Sequence, residues 1–482
     1  MIFNSLEFLI FFVLVTTAYF LLPHRLRWAL LLIASCYFYM AFVPVYILIL
    51  GFTILIDYIA GIYIEKATGR RRKAFFIMSL IANIGILAVF KYYNFFVENI
   101  NAVIKAAGCN TELTYLSILL PIGLSFHCFQ AMSYTFEVYR GNYKAERHLG
   151  VYALYVMFYP QLVAGPIERP QNMLHQFKRV QAFEYKRVVS GLQLMVWGLF
   201  KKVVIADRLS VLVDQVYDQP RGYNSIGLLI ATFFFCYQIF CDFSGYTDIA
   251  RGSARVMGFS LLKNFNHPYH AKSISDFWSR WHISLSSWFR DYLYIPLGGN
   301  RVAIPRWYLN LFIVFMVSGL WHGADWTFIV WGALHGFYLV FGVATRGFRE
   351  KLNDRLGLAR LNALNVITTF LLVAFAWIFF RANNINDALY IARHVVTGIP
   401  DAIQNYKTAF SGDYLMKPPE IIACFGLIAF LEAVHHMGRR MDISHWLQTI
   451  SRPLRWGIYV AAILVILSYG VFTETPFIYF QF

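Results

Sequence analysis

Residues 312–341 read FIVFMVSGLWHGADWTFIVWGALHGFYLVF, an almost wholly apolar stretch that nevertheless contains His322. An apolar run of about 20 residues is enough to cross a lipid bilayer. An ionisable side chain inside such a run is costly, so it indicates a functional site by default. The stretch therefore predicts membrane helices with a buried histidine between them.

The other interpretation of His322 is a structural one, in which the ring is hydrogen-bonded between closely packed helices. The spacings Gly319-x-x-x-Gly323 and Gly332-x-x-x-Gly336 favour such packing. The same glycines also clear space beside the ring. If the helix continues through Gly323, we expect Asp325 to share the face of His322 and to hold the imidazole in one tautomer.

The whole chain has the composition of a membrane protein. Of its 482 residues 59% are hydrophobic and 14% are charged, whereas about 25% are charged in a typical soluble domain. This composition excludes a soluble enzyme, a disordered chain and a fibrous repeat. The net charge of +16 is typical of basic cytoplasmic loops, and the basic residues are too scattered to predict a nucleic-acid partner.

Thirteen apolar stretches qualify wholly or nearly as spans, and we expect ten to twelve true ones. They lie at 4–22, 28–43, 45–64, 74–93, 115–138, 149–165, 188–206, 225–247, 308–321, 326–343, 363–380, 418–435 and 455–473. Some must be short or re-entrant, because Pro121, Gly165-Pro166 and Gly319 interrupt them. In particular, 149–165 is predicted to be a hairpin or half-helix.

Basic residues predict the orientation. Glu7 lies near the start and Arg25 and Arg27 follow the first span, which places the N-terminus outside the cytoplasm. The basic loop Glu65–Lys73 is then cytoplasmic. We find no internal repeat and no linker, so 1–482 is predicted to be one domain with a polar region at about 242–336 and a soluble-looking loop at about 381–417.

The polar region contains SISDFWSRWHISLSSWFRDYLYIPLGGNR at 273–301. Read as one helix from Ser275, it places His282, Ser286 and Arg290 on one stripe beside an apolar face. An interfacial amphipathic helix is the alternative, but an interfacial anchor does not require a histidine at the position of His282. The glycines of IPLGGN at 295–300 predict a helix stop.

The stretch DFSGYTD at 242–248 offers two further polar pairs. Asp242 with Tyr246, and Ser244 with Asp248, are four residues apart. Metal binding is conceivable, but helix capping or a buried polar network is the better interpretation. Because the six cysteines form no CxxC pair either, we expect no metal site.

The chain lacks a phosphate-binding loop, a G-x-S-x-G elbow and an H-E-x-x-H zinc helix. What remains is a membrane-embedded base with a second polar residue on a nearby amphipathic helix. That pair suits acyl transfer, in which neutral imidazole takes a proton from a hydroxyl as its oxygen attacks a thioester.

At this point the sequence resembles the membrane-bound O-acyltransferase family, specifically its bacterial branch typified by the alginate O-acetyltransferase membrane subunit. The resemblance covers nearly the whole chain. Its motifs are MIFNSLEFLIFF at the start, FKYYNFF at 90–96, LLPIGLSFHCFQAMSY at 119–134, AGPIERP at 164–170, DFSGYTDIARG at 242–252, the stretch 273–301, GLWHGADWTFIVWGALHG at 319–336, FFRA at 379–382 and the terminal FIYFQF.

The resemblance implies a multi-helix fold with funnels from the two faces meeting near His322. It implies that His322 and His282 are the catalytic histidines. Around them we expect supporting or substrate-binding residues, namely Asp242, Ser244, Arg280, Trp281, Ser286, Arg290, Asn300, Trp321 and Asp325. Arg280, Arg290 and Arg301 cluster beside His282 in the sequence, so we also expect them to attract an anionic acyl donor.

The resemblance also implies the biological setting. No cofactor is expected to stay bound, and the donor is an acyl thioester, either acetyl-CoA or an acyl carrier protein. The chain would act in the bacterial inner membrane with an extracytoplasmic partner acyltransferase and polysaccharide export machinery, for O-acetylation of alginate or another envelope glycan. The alternatives are D-alanyl transfer to teichoic acid, a lipid acyltransferase, and a transporter or export subunit without chemistry of its own.

Overall fold

The computed structural model is built from helices. It describes residues 1–117, 121–163, 165–356, 358–398, 400, 404, 416–472 and 477–480. Within these ranges the regular elements are all helical and none is a β-strand. The predicted all-α class is therefore confirmed.

The helices of the described residues are numbered in chain order. They are α1 (Leu6–Leu21), α2 (His24–Met40), α3 (Ile47–Lys66), α4 (Gly69–Leu87), α5 (Tyr93–Ala106), α6 (Leu124–Arg140), α7 (Leu149–Met157), α8 (Tyr159–Leu162), α9 (Pro170–Lys178), α10 (Tyr185–Leu199), α11 (Asp207–Asp218), α12 (Ser225–Met257), α13 (Ile274–Arg280), α14 (Ile283–Phe289), α15 (Ile304–His322), α16 (Trp326–Ala344), α17 (Arg346–Leu356), α18 (Leu358–Arg381), α19 (Ile385–Thr397), α20 (Pro418–Gly438), α21 (Ile443–Thr449) and α22 (Arg452–Tyr469). Wider π-helical turns occur at Ala88–Tyr92, Phe200–Ala206 and Arg290–Tyr294, and short 3₁₀ turns at Pro44–Tyr46, Pro220–Gly222, Pro268–His270 and Ile478–Phe480.

Nine helical runs in the described part of the chain are long and apolar enough to cross a bilayer. They are Pro44–Lys66, Gly69–Ala106, Tyr185–Asp218, Ser225–Met257, Ile304–His322, Trp326–Ala344, Asn362–Arg381, Pro418–Gly438 and Arg452–Tyr469. The apolar α1 is shorter, with 16 residues. The chain is thus a polytopic membrane protein, and the total of ten to twelve spans stays a prediction.

Two of the predicted irregularities can be compared with the structure. The stretch 149–165 forms two short helices, α7 and α8, that meet at Phe158, and this confirms the predicted hairpin or half-helix. Gly319, by contrast, does not interrupt its span. Helix α15 runs through it to His322, because this glycine serves close packing rather than a break.

Two predicted loops are shorter than expected. The basic stretch Glu65–Lys73 is mostly helical, since α3 ends at Lys66 and α4 begins at Gly69. The predicted loop 381–417 contains α19, while its residues 399, 401–403 and 405–415 lie outside the described residues. Residues 118–120, Ala164, 473–476 and 481–482, which fall within quoted spans and motifs, also lie outside them.

The chain divides into two compact units. The first comprises Met1–Met195 and Ile249–Leu262, and the second comprises Val196–Asp248 and Lys263–Gln481. Both predicted catalytic histidines belong to the second unit. A single domain over 1–482 stays a prediction. The long helix α12 has residues in both units, and 78% of its most apolar window is buried, as expected for a helix that is apolar on every side.

Helices α15 and α16 pack against each other through glycine. A Cβ atom added at Gly332 would come within 2.5 Å of the Phe315 carbonyl oxygen and 3.2 Å of the Gly319 Cα. Neither distance leaves room for a methyl group, so the two backbones are in direct contact. The small-residue packing predicted from the glycine spacing is confirmed, and it sets the position of the His322 end of α15.

We predict that Gly332→Ala destabilises the protein, because the added methyl group must push α15 away from α16. Overpacking of this kind costs about 1–3 kcal/mol in free energy of unfolding. The matched control is Gly342→Ala on the same helix, where the nearest atom is the end of the Arg349 side chain at 3.9 Å. Thermal unfolding in detergent should show a lower midpoint for Gly332→Ala only. Equal midpoints for the two variants would show that the contact has no role in stability.

Candidate active site

His322 is the last residue of α15 and is buried, with 4% of its surface exposed. The helix ends there because Gly323 adopts an extended conformation as the C-cap. The imidazole stands edge-on to Trp331 at 4.9 Å and to Phe380 at 5.3 Å, measured between ring centroids. The ring at the centre of the apolar stretch is therefore enclosed by aromatic side chains.

His282 lies at a break between two helices. The single helix predicted from Ser275 is wrong, because α13 ends at Arg280 and α14 begins at Ile283. Between them His282 has a φ of 44° and a ψ of 53°, in the left-handed region that residues other than glycine rarely adopt. Such backbone conformations persist only where neighbouring contacts impose them, often at functional sites.

Asn264 supplies those contacts. Its carbonyl oxygen accepts the Ile283 N–H at 3.0 Å, and its side-chain oxygen accepts the Ser284 N–H at 3.1 Å. Both N–H groups belong to the first turn of α14, which has no partner for them within the helix. Asn264 is buried, so the turn that carries His282 is held rigidly.

Two aromatic residues contact both histidines. The Trp321 ring lies 4.9 Å from His322 and 6.3 Å from His282. The Tyr479 ring lies 5.6 Å from His322 and 6.4 Å from His282. Together with Phe243, Trp331 and Phe380 they form an enclosure that we call the aromatic box.

The aromatic box determines the charge state of His282. Burial of the ring, which is 1% exposed, lowers its pKa to about 3. The side chain is therefore neutral at physiological pH and can accept a proton. An enclosure that keeps water out also protects a reactive thioester from hydrolysis. The arrangement suits a base that acts on a hydroxyl delivered into a dry site.

A buried ion network lies beside the aromatic box. The Lys202 Nζ is 2.7 Å from a carboxylate oxygen of Asp207 and 2.7 Å from one of Asp242. All three side chains are at most 4% exposed. A buried charge is tolerated only when it is paired, so these residues hold their helices in one arrangement.

Asp242 also holds the C-terminal segment. Its second carboxylate oxygen accepts the Ile478 N–H at 2.8 Å. The neighbouring rings of Phe477 and Tyr479 pack on Phe243 at 5.3 and 4.7 Å. The buried network therefore positions Tyr479 in the aromatic box. Burial raises the pKa of the Tyr479 phenol, so it is protonated at neutral pH.

Ser244 belongs to a neighbouring pair of contacts. The Lys201 Nζ donates to the Ser244 hydroxyl at 2.9 Å and to the Asp248 carboxylate at 2.7 Å. The stretch 242–248 thus forms a buried polar network, as the better of its two interpretations predicted. No group of three or more His, Cys, Asp or Glu side chains in the described residues is placed to hold a metal ion.

The structure places Trp281 behind His282, buried and stacked on Phe277 at 5.5 Å. Asp325 has a different role from the predicted one. Helix α15 ends before it, and its carboxylate caps α16 by accepting the Thr327 N–H at 2.7 Å. The expectation that Asp325 orients the His322 ring is therefore wrong.

The remaining predicted residues are engaged away from the aromatic box. Arg280 pairs with Asp276 at 2.7 Å, and Arg290, whose side chain is 64% exposed, pairs with Asp291 at 2.8 Å. The Ser286 hydroxyl donates to the Trp281 carbonyl oxygen at 3.1 Å. The stripe of His282, Ser286 and Arg290 does not form, because the helix is broken at His282. Asn300 is exposed in the turn at Gly298 and Gly299, whose positive φ values confirm the predicted helix stop.

Sequence reasoning missed Tyr479 and Lys202 as parts of the site. Tyr479 lies in the terminal FIYFQF. This aromatic run follows the last predicted span and is too short to cross a bilayer itself. Lys202 is a cation within the apolar run Tyr185–Asp218. A charge inside an apolar run is the signal that could have identified Lys202. Only the folded structure shows that Asp207 and Asp242 are its partners.

Comparison with known proteins identifies a matching family and several similar proteins. The sequence model of the membrane-bound O-acyltransferase family matches residues 146–382, which include both histidines. The probable alginate O-acetylase AlgI of Pseudomonas aeruginosa is 39% identical over 80% of the chain and 73% of that protein. The probable alginate O-acetylase AlgI of Pseudomonas putida is 34% identical over the full length of both chains. The peptidoglycan O-acetyltransferase of Helicobacter pylori is 36% identical over 76% of this chain and 73% of its own.

We predict that Lys202→Met strongly destabilises the protein, because it leaves Asp207 and Asp242 buried without their cation. Removing one partner of a buried pair costs about 3–5 kcal/mol. The control is Arg221→Gln, which breaks an ion pair with Asp387 whose arginine is 63% exposed and which should change stability little. Denaturant titration in mixed micelles measures both. A Lys202→Met variant as stable as Arg221→Gln would contradict the role of the network.

We predict that His282 makes the folded state less stable in acid. An unfolded histidine takes up a proton near pH 6.5, whereas folded His282 does so only near pH 3. Between these values the unfolded state binds the extra proton, so the free energy of unfolding falls as the pH falls, by up to about 1.4 kcal/mol per pH unit.

The measurement is the slope of the free energy of unfolding between pH 4 and 6, for wild type and for His282→Gln. The slope for the variant should be smaller by up to about 1.4 kcal/mol per pH unit, which corresponds to one bound proton. His445→Gln, at an exposed position of α21, is the control and should keep the wild-type slope. Identical slopes for all three proteins would mean that folded His282 is protonated in this range.

Proposed function

The chain belongs to the membrane-bound O-acyltransferase family, and from this premise we propose that it passes an acetyl group from a cytoplasmic thioester toward an extracytoplasmic polysaccharide. It is a multi-pass membrane O-acyltransferase. The observation that carries the proposal is the enclosure of His282 and His322 in one aromatic box, with Trp321 and Tyr479 in contact with both.

In the proposed reaction His322 is the general base. Its neutral imidazole takes the proton of the acceptor hydroxyl while the hydroxyl oxygen attacks the thioester carbonyl carbon. The carbon–sulfur bond then breaks, and the proton leaves with the thiol. His282, held rigidly at its turn, orients the donor or stabilises the negative charge on the carbonyl oxygen. The aromatic box keeps water from competing with the hydroxyl.

The proposed acceptor is alginate or another glycan of the cell envelope. The named activities of the similar proteins, alginate O-acetylase and peptidoglycan O-acetyltransferase, support acetyl as the group that is transferred. The proposed donor is acetyl-CoA or an acylated carrier protein. An extracytoplasmic acyltransferase and polysaccharide export machinery are the proposed partners, and D-alanyl transfer to teichoic acid is the alternative activity.

The proposed location is the bacterial inner membrane with the N-terminus outside the cytoplasm. The basic residues at the start of α4, which include Arg70, Arg71 and Arg72, support a cytoplasmic position for the turn between α3 and α4. With that orientation a thioester made in the cytoplasm reaches the chain from the side where it is produced.

We predict that His322→Ala lowers acetyl transfer by about 10²–10⁴-fold, the usual contribution of a general base. Membrane vesicles containing the protein and its pathway are supplied with acetyl-CoA labelled in the acetyl group. Label is then counted in the polysaccharide, lipid and soluble fractions. Label in the polysaccharide supports the proposed function. Label confined to lipid would indicate a lipid acyltransferase, and transfer of D-alanine alone would indicate the alternative activity.

The matched control is His335→Gln, another buried histidine. His335 accepts a hydrogen bond from the Trp278 indole at 3.2 Å, and its ring lies 4.9 Å from the Trp331 ring at the edge of the aromatic box. Its replacement should lower stability without a hundredfold loss of transfer per folded molecule.

If His322→Ala lowers transfer less than tenfold while the fold stays intact, His322 has a packing role and is not the general base. Substrate movement that survives loss of both His282 and His322 would indicate a transporter. The pH–rate profiles of the two single variants distinguish which histidine is the base.

A further inference from the structure

Exposed positive charge is concentrated at the end of the first unit where α3 ends and α4 begins. Eight lysine and arginine side chains are exposed there, and none of these side chains forms an ion pair or a hydrogen bond with another described residue. We call this set the basic rim. Its members are Arg25, Lys66, Arg70, Arg71, Lys73, Lys144, Arg179 and Lys186.

Contacts within the unit bring the segments that carry the basic rim to one end. Glu65, in the last turn of α3, pairs with Arg147 in the segment between α6 and α7, which also carries Lys144. Glu146 of the same segment pairs with Lys178, the last residue of α9, at 2.6 Å. The ends of α3 and α9 therefore meet at one segment, and the start of α4 follows α3 directly.

The segment that joins α9 to the first residue of α10 adds large apolar side chains to this end. It is fixed to the start of α2, because the Arg27 guanidinium donates to the Gln181 carbonyl oxygen at 2.7 Å. Val180, Phe183 and Tyr185 are 71%, 63% and 72% exposed, and a cation of the basic rim flanks them on each side. Large apolar side chains grouped in this way indicate an interaction surface.

Nearby carboxylates do not cancel the charge of the basic rim. Four glutamates of the described residues lie at this end, and each has a cation of its own outside the basic rim. An uncompensated excess of positive charge attracts anions. The four pairs are Glu65–Arg147, Glu137–Arg140, Glu146–Lys178 and Glu184–Arg187.

The basic rim lies at the ends of candidate membrane spans. The run Pro44–Lys66 ends there, and the runs Gly69–Ala106 and Tyr185–Asp218 begin there. The shortest of them has 23 residues, so each is at least about 35 Å long at 1.5 Å per residue. The hydrocarbon core of a bilayer is about 30 Å thick. The charged ends therefore extend into the layer of lipid headgroups.

We propose that the basic rim binds the headgroups of anionic phospholipids. Basic residues beside membrane spans attract anionic lipid, and aromatic side chains such as Phe183 and Tyr185 are typical of the membrane interface. A soluble acidic protein would match the charge equally well, but it gives no reason for large apolar side chains between the cations at the end of a span. This lipid binding does not depend on the proposed acetyl transfer.

Native mass spectrometry of the detergent-solubilised chain tests the proposal. It resolves bound lipids and gives the Kd for phosphatidylglycerol, which is anionic, and for phosphatidylcholine, which has no net charge. The test variant combines Arg70→Gln, Arg71→Gln and Lys73→Gln. The matched control combines Arg70→Lys with Arg71→Lys and keeps the charge. A second control, Lys105→Gln, removes an exposed cation at the other end of the run Gly69–Ala106.

Wild type should bind phosphatidylglycerol at least about tenfold more tightly than phosphatidylcholine, and salt should weaken that preference. The triple variant should bind phosphatidylglycerol at least about fivefold more weakly, since a basic residue near an anionic surface contributes about that factor. Its Kd for phosphatidylcholine and both control variants should stay within about twofold of wild type.

Equal affinity of wild type for the two lipids, or a triple variant within twofold of wild type, would show that the proposal is wrong. Polyglutamate is a third probe and represents an acidic soluble protein. If polyglutamate binds wild type and phosphatidylglycerol does not, the basic rim is a protein-binding surface and the proposal is likewise wrong.

A measurement on wild type covers the case in which the triple variant does not fold. In nanodiscs, an acetylating reagent modifies accessible lysines, and peptide mass spectrometry reports the extent at each one. Phosphatidylglycerol, compared with phosphatidylcholine, should slow modification of Lys66, Lys73, Lys144 and Lys186 but not of Lys105. Equal protection at all five lysines, or at none, would overturn the assignment. Because neither readout requires acetyl transfer, failure of this proposal is distinct from failure of the proposed function.

Discussion

The arrangement of the site depends on the pairing of Lys202 with Asp207 and Asp242. Three charges buried in an apolar fold are stable only in the geometry that lets them neutralise one another. Asp242 lies on α12 and also binds the backbone of Ile478, so the same pairing joins three separate parts of the chain. Each of these parts adjoins the aromatic box. The position of Tyr479 beside His282 and His322 follows from charges that do not themselves touch either ring.

The two histidines are held by different means, and the difference suits different tasks. His322 ends a helix whose position is set by direct backbone contact with α16. His282 occupies a strained turn that Asn264 supports through two hydrogen bonds. Aromatic groups surround both rings, and burial keeps His282 neutral by lowering its pKa. A site of this kind provides a neutral base and a dry reaction space, which is what transfer from a thioester to a hydroxyl requires.

The arginines of the chain differ in their surroundings in ways that their spacing along the sequence does not show. Arg280 and Arg290 were predicted to attract the donor because they flank His282 in the sequence, but each is paired with a neighbouring carboxylate. The arginines of α10 and α12 are far from that motif in sequence and meet in one cleft. Spacing along the chain did not distinguish the two groups. Which arginines come together depends on which helices touch, here through Gly191 and Gly252.

Local chemistry explains what could be predicted from the sequence. The apolar fraction, the span lengths, the short helices at 149–165 and the helix stop at Gly298 and Gly299 follow from hydropathy and from backbone preferences that act within a few residues. The importance of His322 could be recognised because ionisable groups are costly in an apolar run, and that of His282 from its place in the polar region and from the family resemblance. The helix break at His282, the capping role of Asp325 and the position of Tyr479 could not be recognised in this way. Asn264, Thr327 and Asp242 decide them, and the hydrogen bonds that Asn264 and Asp242 accept join residues remote in sequence. The sequence by itself therefore determined that this chain is a membrane protein with a costly histidine in an apolar run and a second histidine in a polar region. Only the tertiary structure decided that the histidines share an aromatic box, because burial and charge pairing depend on contacts that local spacing does not encode.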